Sequence, residues 1–436
     1  MAGTGVTAPR RVVVVGAGFG GLTLARALDA RADGQEPVEV VLVDQHNYHL
    51  FQPLLYQVAT AGLEPADIAH AVRGIIRRAG SVTFRHSRVV GVDIAAGTVA
   101  LADGGRLPYD DLVLAAGSVT ATFGVAGAEQ HALGLKSLAE AVSLRSHLLT
   151  QFERCDQDPA LIGQGLLTVV VVGAGPTGVE MSGALAELIS KVLSRDFPRL
   201  ATARARVVLV EMADTVLAPF SAKLQRHAIA QLQRRGIELR LATSVEEVTP
   251  EHVRLSGGEV IATRTTLWTA GVRASPLADS IGLEQAAAGR IRVAADLSVP
   301  GHPEIWAIGD IAAARGADGR LLPQLAPVAQ QAGRHVARQI RRRHRGLETE
   351  PFTYSDKGTM ATIGRRAAVA QLPFGVQLRG TLAWLMWLLL HIVTLVGFRN
   401  RVSVLINWAW NYVTWDRAAR LITEPAPLAE RDPQRR

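Results

Sequence analysis

Residues 11–22 read RVVVVGAGFGGL, an apolar β-branched run that passes directly into small residues. Such a run is typical of a strand buried on both faces of a parallel sheet. Gly16, Gly18 and Gly21 then give the spacing G-x-G-x-x-G. The first glycine permits a tight turn, the second lets the backbone approach a pyrophosphate, and the third lets a helix pack closely on the strand. The stretch therefore predicts a dinucleotide-binding βαβ unit.

A second predicted strand at 38–44 ends in Asp44, which is placed to accept hydrogen bonds from a ribose diol. The same pattern of an apolar run followed by spaced glycines occurs again at 167–178, LTVVVVGAGPTG. The glycines of this second copy are Gly173, Gly175 and Gly178. Two copies in one chain predict two dinucleotide-type folds, and the usual pair of ligands is a flavin and a nicotinamide nucleotide.

Glu211 ends the strand that follows the second copy. A carboxylate at this place accepts the 2′-hydroxyl of NADH and repels a 2′-phosphate. Met212 and Ala213 follow it, so no arginine is at hand for a phosphate. The sequence favours NADH over NADPH, although Glu211 could also be a solvated strand end.

Two further segments favour flavin contacts. Residues 305–310, IWAIGD, form an apolar strand ending in Gly309 and Asp310, and this carboxylate could bond a flavin ribityl hydroxyl. Another strand, LVLAAGS, ends in small residues around Ala116 that would let the backbone lie close to a cofactor. Taken singly, either segment could be an ordinary strand end.

Composition excludes several classes of protein. The 436 residues, 48% of them apolar, suit two or three domains and not a disordered chain. Cys155 is the only cysteine, so the chain has no intrachain disulfide, CxxC redox pair or cysteine-based metal site, and the twelve histidines show no ligand spacing. No metal site is expected. The first residues show no secretory signal, which predicts a protein that stays in or faces the cytoplasm.

Several stretches are specific enough to indicate a family. They are DQHNYHLFQPLLYQVATAGL at 44–63, SRDFP at 194–198, LWTAGV at 267–272 and FTYSDKGTMATIGRRAAVA at 352–370. With the two glycine fingerprints, they make the chain similar to the type II NADH:quinone oxidoreductases, which are respiratory NADH dehydrogenases that do not pump protons. The resemblance spans about residues 10–420.

The resemblance implies an α/β fold with two Rossmann-like domains, the FAD domain being split by an inserted NAD domain, plus a C-terminal membrane-associating helical module. The implied boundaries are 10–120 and 286–346 for the FAD domain, 121–285 for the NAD(H) domain and 347–436 for the C-terminal module.

The resemblance also implies FAD and NADH as cofactors and a membrane quinone, ubiquinone or menaquinone, as electron acceptor. Glu180 matches a glutamate near the junction of nicotinamide and flavin, while Lys357 and Gln331 match positions that face the quinone; Gly271 of LWTAGV matches a cofactor contact. Glu180 could instead be a structural carboxylate, and Lys357 could form a plain salt bridge to Asp356 or Asp310. The family often has a glutamine where this chain has Pro327, a proline that suits a first helical position.

Two other functions stay open at this point. One is a soluble NADH diaphorase or ferredoxin-type reductase of the same fold. The other is a slow-turnover flavoprotein of the cell-death-factor type that acts through binding. Disulfide reductases and coenzyme-A-linked relatives are excluded, because they need cysteines that this chain lacks.

The C-terminal region contains an 18-residue run without formal charge, TLAWLMWLLLHIVTLVGF at 381–398. At 1.5 Å per residue it would span roughly 27 Å, short of the ~30 Å hydrocarbon core, which favours in-plane anchoring over a single crossing. The tryptophans at 384, 387, 408, 410 and 415 suit a membrane interface. A buried core helix or a helix in a homodimer interface stays open.

The net charge of +8 fits an anionic surface. No nucleic-acid recognition motif accompanies it, so an anionic lipid surface at the cytoplasmic face of the cell membrane is the predicted partner. The arginines assigned to this contact are Arg338, Arg341, Arg342, Arg343 and Arg345 before the module, and Arg379, Arg399 and Arg401 around the apolar run.

Overall fold

The computed structural model describes residues 9–29, 38–417 and 419–423. Residues 1–8 and the last thirteen residues of the predicted C-terminal module lie outside these ranges. The described chain forms two compact units. Unit 1 comprises the segments up to His49, His70–Val119 and Val272–Ser355, and unit 2 comprises Leu50–Ala69, Thr120–Gly271 and Asp356 onward.

Unit 1 is built on a six-stranded sheet that is parallel except for its first strand. In spatial order its strands are Ser298–Val299, His302–Ala307, Asp111–Leu114, Arg11–Val15, Glu39–Asp44 and Val82–His86. A three-stranded antiparallel meander adds Val89–Asp93, Thr98–Leu101 and Arg106–Pro108. The helices of this unit are Phe19–Ala27, Val72–Ile76, Leu277–Ile281 and Ala326–His344.

The strand at 11–15 is buried on both faces, as its sequence predicts. Val12 and Val14 belong to a core cluster with side chains of helices 19–27 and 326–344. Val13 and Val15 belong to a second cluster on the opposite face, with side chains of the meander and of helix 277–281. Successive side chains of a strand point to opposite faces of the sheet, so both pairs of valines lie in apolar surroundings.

Unit 2 contains a four-stranded parallel sheet in the order Ile237–Arg240, Arg206–Val210, Thr168–Val172 and Thr265–Trp268. An antiparallel sheet of Val245–Val248, His252–Leu255 and Val260–Ala262 accompanies it, and a second one is formed by Thr359–Gly364, Ala367–Gln371 and Gln377–Arg379. Its helices are Leu55–Ala59, Pro65–Ile68, Ala128–His131, Leu138–Gln157, Pro176–Glu187, Ser194–Asp196, Ala222–Arg234, Thr381–Thr394 and Phe398–Thr414.

Four short strands lie near the positions where the chain passes from one unit to the other: Tyr48–Leu50, Ala69–Ala71, Ser118–Thr120 and Val272–Ala274. The predicted insertion of the second dinucleotide fold into the first is confirmed. The predicted domain boundaries at 120 and 285 stay a prediction; the unit borders fall at 119/120 and 271/272, and the segment 50–69 belongs to unit 2.

Candidate functional site

The first fingerprint has the geometry that its three glycines predict. Gly16 has a φ of +107°, and a Cβ there would lie 2.4 Å from the carbonyl oxygen of Ala115. A Cβ on Gly21 would lie 1.9 Å from the carbonyl oxygen of Gly16, so helix 19–27 can approach the strand only with glycine at this position. A Cβ on Gly18, in contrast, would meet no atom within 4 Å. The open space at Gly18, at the start of a helix whose first N–H groups have no acceptor within the helix itself, fits a phosphate.

Asp44 closes the same loop from the neighbouring strand. One carboxylate oxygen accepts the backbone N–H of Ala17 at 2.6 Å, and the other accepts that of His46 at 2.8 Å. These bonds hold the loop between Gly16 and Gly18, and each oxygen keeps a further lone pair for a ribose hydroxyl.

The other predicted flavin residues also lie in unit 1. Gly309 has a φ of +71° and begins a short turn, and the Asp310 carboxylate accepts the Ser118 hydroxyl at 2.6 Å. Ala116 is half-buried just beyond strand 111–114. The two predicted segments therefore meet through a side-chain hydrogen bond that the sequence did not indicate.

The second fingerprint repeats the first. Gly173 has a φ of +97°, and a Cβ on Gly178 would lie 1.8 Å from the carbonyl oxygen of Gly173. A Cβ on Gly175 would meet no atom within 4 Å, so the same open space fits a phosphate here. Glu211 accepts the N–H of Ala174 at 2.6 Å and that of Ala213 at 2.9 Å.

No basic side chain directly follows the carboxylate, because the next residues are Met212, which is 78% exposed, and Ala213. Gly271 has a φ of +70°, and a Cβ there would lie 2.2 Å from the ring of Phe123. Phe123 lies against this predicted cofactor position while 72% exposed, and no pattern in the sequence singled it out.

Glu180 projects from helix 176–187 into a cavity within unit 2. Its Oε1 accepts two hydrogen bonds, from the backbone N–H of Thr362 and from the indole N–H of Trp387, each at 3.2 Å. Burial disfavours the charged form and raises the pKa of Glu180 from 4.5 to about 8, with the two hydrogen bonds acting in the opposite direction. A carboxyl with this pKa can hold or release a proton near neutral pH.

The cavity has a volume of about 120 Å³. Five aromatic side chains line it: Tyr56, Trp384, Trp387, Trp408 and Trp415. The charged residues around it are Glu180, Glu187, Arg365 and Arg417. Burial also raises the pKa of Tyr56 well above its usual value, so the phenol is neutral where Glu180 titrates.

The other two predicted catalytic residues lie apart from this cavity. Lys357 is exposed in unit 2, and in the described ranges the alternative of a salt bridge to Asp356 is not observed. Gln331 lies in unit 1 on helix 326–344, where both ends of its amide are bonded to the backbone of Ser355 at 2.9 and 3.0 Å. Pro327 stands in the first turn of this helix, as its sequence predicts.

Over the described ranges, no group of three or more His, Cys, Asp or Glu side chains could hold a metal ion. Cys155 is buried on helix 138–157, where desolvation raises the pKa of its thiol. A buried thiol of this kind is unreactive.

Comparisons with known proteins extend over both units. Residues 10–333 match the family model of the pyridine nucleotide-disulphide oxidoreductases, and residues 357–414 match that of the NDH2 C-terminal domain. The type II NADH:quinone oxidoreductase Ndh of Mycobacterium tuberculosis is 39% identical over 435 residues, which cover 96% of this chain and 91% of that protein. This chain belongs to the type II NADH:quinone oxidoreductases.

Two further relatives agree. The type II NADH:quinone oxidoreductase of Staphylococcus aureus is 32% identical over 85% of this chain and 91% of its own length. The structure of NDH2 from Plasmodium falciparum in complex with NADH matches with a TM-score of 0.87, at 18% identity, over 96% of this chain and 100% of that one, and shows the shared fold. The predicted fold, enzyme class, cofactors FAD and NADH, and quinone partner are confirmed.

In this type II NADH:quinone oxidoreductase, the predicted apolar run is not one helix. Helix 381–394 ends before Leu395, which is extended, and Gly397 has a φ of +89° before helix 398–414 begins. Among the residues described, no helix combines the length and the apolar character that a membrane crossing requires. The alternative of a single crossing by 381–398 is therefore wrong for the described chain.

Four of the five C-terminal tryptophans line a cavity, which the sequence did not indicate. Trp384, Trp387, Trp408 and Trp415 line the cavity of Glu180, and the indole of Trp408 donates to Gln57 at 2.7 Å. The indole N–H groups of Trp387 and Trp408 have partners inside unit 2, and membrane contact by the C-terminal tryptophans stays a prediction. Only Trp410 stands out from this surface, more than half exposed.

Helix 398–414 has its polarity reversed relative to an ordinary surface helix. Its inner face is bonded to Asp67, which accepts the hydroxyl of Ser403 at 2.5 Å and the amide of Asn407 at 3.0 Å, while Asn400 donates to the carbonyls of Ala66 and Asp67. Its outer face is apolar and exposed: Phe398, Val402, Leu405, Ile406, Trp410 and Val413.

Three of the arginines predicted to meet lipid are engaged within unit 1. Arg343 pairs with the buried Asp111 at 2.7 Å, and Arg342 pairs with Glu350 at 2.9 Å. Arg341 reaches the carbonyl of Ala27 at 3.4 Å. The lipid contact assigned to these arginines stays a prediction, but sequence spacing does not reveal an acid or a carbonyl brought in from a distant segment.

Proposed function

We propose that this chain catalyses the reaction NADH + H⁺ + quinone → NAD⁺ + quinol, with no proton pumping. The observation that carries the proposal is the match of both the nucleotide-binding part and the NDH2 C-terminal part in one chain. Bound FAD supplies the two-electron chemistry between NADH and quinone. The protein's own residues bind, orient and supply protons.

FAD is proposed to lie in unit 1. The open space at Gly18 admits the pyrophosphate, and Gly16 and Gly21 form the turn around it. Asp44 holds the loop and offers its remaining lone pairs to the ribose, while Asp310 is placed for a ribityl hydroxyl. Ala116 and Gly309 let backbone approach the ring system.

NADH is proposed to bind at the second fingerprint. Gly173, Gly175 and Gly178 form the equivalent turn, and Glu211 selects the 2′-hydroxyl. Glu211 already accepts two backbone N–H groups, which fixes the orientation of its charge toward the ribose site. A 2′-phosphate would meet this charge, so NADPH should be a poor substrate. Gly271 is proposed as a further contact.

Glu180 is proposed as the catalytic acid that supplies a proton during quinone reduction. Its support is the cavity, the two hydrogen bonds and a pKa near neutrality. Lys357 is proposed to face a quinone carbonyl, because its ammonium is exposed and has no salt bridge to Asp356. Gln331 is proposed on the same side; its amide bonds to Ser355 would have to open, or it acts by holding that segment.

The apolar outer faces of helices 381–394 and 398–414 are proposed to lie in the plane of a membrane at its cytoplasmic face, where NADH is available. The free charges for anionic headgroups are then those around these helices, Arg379 and Arg399, and not the paired arginines of helix 326–344. A homodimer through the same apolar face is the competing occupant.

The central test is anaerobic stopped-flow on the full-length holoenzyme. NADH should bleach the flavin and NADPH should do so poorly, and ubiquinone or menaquinone analogues should then restore the colour. A soluble diaphorase would react with water-soluble acceptors and leave the flavin reduced with either quinone. Slow bleaching by NADH would instead favour the cell-death-factor type.

The membrane test is sedimentation with vesicles. Anionic vesicles should retain the full-length protein, and high salt should weaken this binding without abolishing it, because apolar insertion is insensitive to screening. Complete release by salt, or a dimer in detergent-free solution that binds no vesicles, would contradict the proposed lipid contact.

A further inference from the structure

Helix 381–394 has two faces of opposite exposure. Residues 383, 387 and 391 succeed one another at intervals of four, so they share one face, and all three are buried. The outer face carries exposed apolar side chains: Leu382, Leu385, Leu389 and Val393. The helix therefore presents one side to the surroundings of the protein and the other to the cavity of Glu180.

Trp387 is fixed on the inner face by its neighbours. It is 2% exposed, and its ring stacks on that of His391 with centroids 3.9 Å apart and 25° between the planes. The Nδ1 of His391 lies 2.7 Å from the carbonyl oxygen of Trp387, and because a carbonyl can only accept, this nitrogen carries the proton. The indole cannot turn without breaking this arrangement.

Both donors to Glu180 reach the same carboxyl oxygen. The N–H of Thr362 belongs to the backbone of an edge strand, and no side-chain substitution removes it. The N–H of Trp387 arrives from the opposite element and depends on where helix 381–394 is seated. Hydrogen bonds of this kind favour the ionised carboxylate.

We infer that Trp387 is a positioning residue for Glu180: its indole N–H holds Oε1 and so couples the seating of helix 381–394 to the ease with which Glu180 takes up and releases a proton. This inference rests on the proposed role of Glu180 in quinone reduction. It assigns to a helix with an apolar outer face a direct bond to the acid of the cavity.

Two other ionisable side chains near Glu180 are neutral at neutral pH. Burial lowers the pKa of His391 to about 4, so its ring is neutral, and the phenol of Tyr56 is neutral as well. Glu187 accepts the N–H of Arg365 at 2.6 Å and lies 3.8 Å from the guanidinium of Arg417. Near neutral pH, neither His391 nor Tyr56 competes with Glu180 for the proton.

The test compares the pH profile of NADH:quinone turnover, from about pH 6 to 10, in four full-length holoenzymes: wild type, Trp387→Phe, Glu180→Gln and Trp384→Phe. Trp387→Phe keeps an aromatic ring and loses the donor, so the midpoint of the Glu180-dependent limb should rise by about one pH unit. Trp384→Phe is the matched control, because it makes the same exchange one turn away at an indole that does not bond Glu180. Its midpoint should not move.

The outcomes separate the inference from the proposed function. A limb that vanishes in Glu180→Gln but keeps its midpoint in Trp387→Phe would show that Trp387 only packs, and the inference would be wrong while the role of Glu180 stands. A limb unchanged in Glu180→Gln would overturn both.

Should Trp387→Phe fail to retain flavin, 3-benzothienylalanine incorporated at position 387 keeps the ring shape and replaces the indole N–H by sulfur. The same rise of about one pH unit is expected. A midpoint equal to that of wild type in this protein would overturn the inference without any question of folding.

Discussion

The two glycine fingerprints are alike down to single hydrogen bonds, and they differ in what covers the helix that follows. In each, a carboxylate from the next strand accepts the N–H between the first two glycines at 2.6 Å, from Asp44 in unit 1 and from Glu211 in unit 2. In each, the other carboxylate oxygen accepts the N–H of the residue two positions after the acid itself, His46 in unit 1 and Ala213 in unit 2. The nucleotide site is thus a repeated part.

The covers are not repeated. Helix 19–27 lies under helix 326–344, and Gly333 allows the contact because a Cβ there would lie 2.5 Å from the carbonyl oxygen of Gly20. Helix 176–187 lies under strand 359–364, and a Cβ on Gly183 would lie 2.0 Å from the carbonyl oxygen of Ile363.

A helix offers its neighbour no free backbone donors along its length, whereas an edge strand does. Strand 359–364 is such an edge, and it gives the N–H of Thr362 to Glu180. The nucleotide-binding turn is therefore duplicated in the two units. The proton chemistry proposed for Glu180 arises in unit 2, where the helix packs against a strand.

The largest effect is expected from filling the closest contacts of both fingerprints. In Gly21→Ala and Gly178→Ala the new methyl would lie 1.9 and 1.8 Å from a backbone carbonyl oxygen, which cannot move aside, so we expect a loss of about 3 kcal/mol or more in stability. Denaturant unfolding measures it. Gly18→Ala and Gly175→Ala are matched controls that should fold, because a Cβ there meets nothing within 4 Å, and should lose only cofactor affinity. Equal stability of the two pairs would contradict the packing role.

The next largest effect is a pH dependence of the free energy of unfolding, which Glu180 of unit 2 should cause. Its pKa is raised from 4.5 to about 8, so the native state favours the protonated form, and the resulting stability is complete at low pH and lost as pH rises through about 8. Between pH 5 and 9 the free energy of unfolding should fall by a few kcal/mol more in wild type than in Glu180→Gln. Parallel pH profiles of the two proteins would contradict the shifted carboxyl.

A smaller effect should distinguish the two matched acids. Glu211→Gln removes the charge and keeps an acceptor, so the preference for NADH over NADPH should fall about tenfold, which is about 1.4 kcal/mol. Asp44→Asn is the counterpart and should weaken FAD retention while leaving that preference unchanged. Steady-state kcat/KM with both nucleotides measures the first effect and flavin content the second. A loss of preference in Asp44→Asn would show that the assignment of the two sites is reversed.

The smallest effect on folding is expected at the outer face of helix 381–394. Leu389 is 65% exposed, so Leu389→Ser should change the melting temperature little, with less than about 0.5 kcal/mol in stability, yet reduce sedimentation with vesicles. Ala383→Ser on the inner face is the control, since Ala383 is buried and its substitution should cost more stability than Leu389→Ser. Vesicle binding that is unaffected by Leu389→Ser would place the lipid contact elsewhere.

The sequence predicts the parts of the fold that depend on local pattern. The valine run at 11–15 predicts a buried strand from its own residues. The glycines of both fingerprints predict tight turns, because glycine adopts positive φ angles without a steric penalty. The same reasoning placed Pro327 at a helix start. Glu180 was found only through family resemblance, since a single carboxylate in a helix has no pattern of its own.

What the sequence could not provide are the partners that lie far along the chain. Trp387 bonds a carboxylate 207 residues away, and Arg343 pairs with an acid 232 residues away. Before these contacts are known, a tryptophan beside leucines resembles a membrane-interface residue, and an arginine in a basic run resembles free charge. The break at Leu395 was missed for a related reason, because apolar composition continues across it.

The reversed polarity of helix 398–414 gives its attachment an unusual response to temperature. Stabilisation by buried apolar surface weakens on cooling, because exposing apolar surface raises the heat capacity. Exposing polar groups lowers the heat capacity. Detaching this helix would expose the amides, hydroxyl and carboxylate that join it to Asp67, together with the buried side chain of Val404. Its docking should therefore weaken less on cooling than that of a helix held by apolar contacts alone.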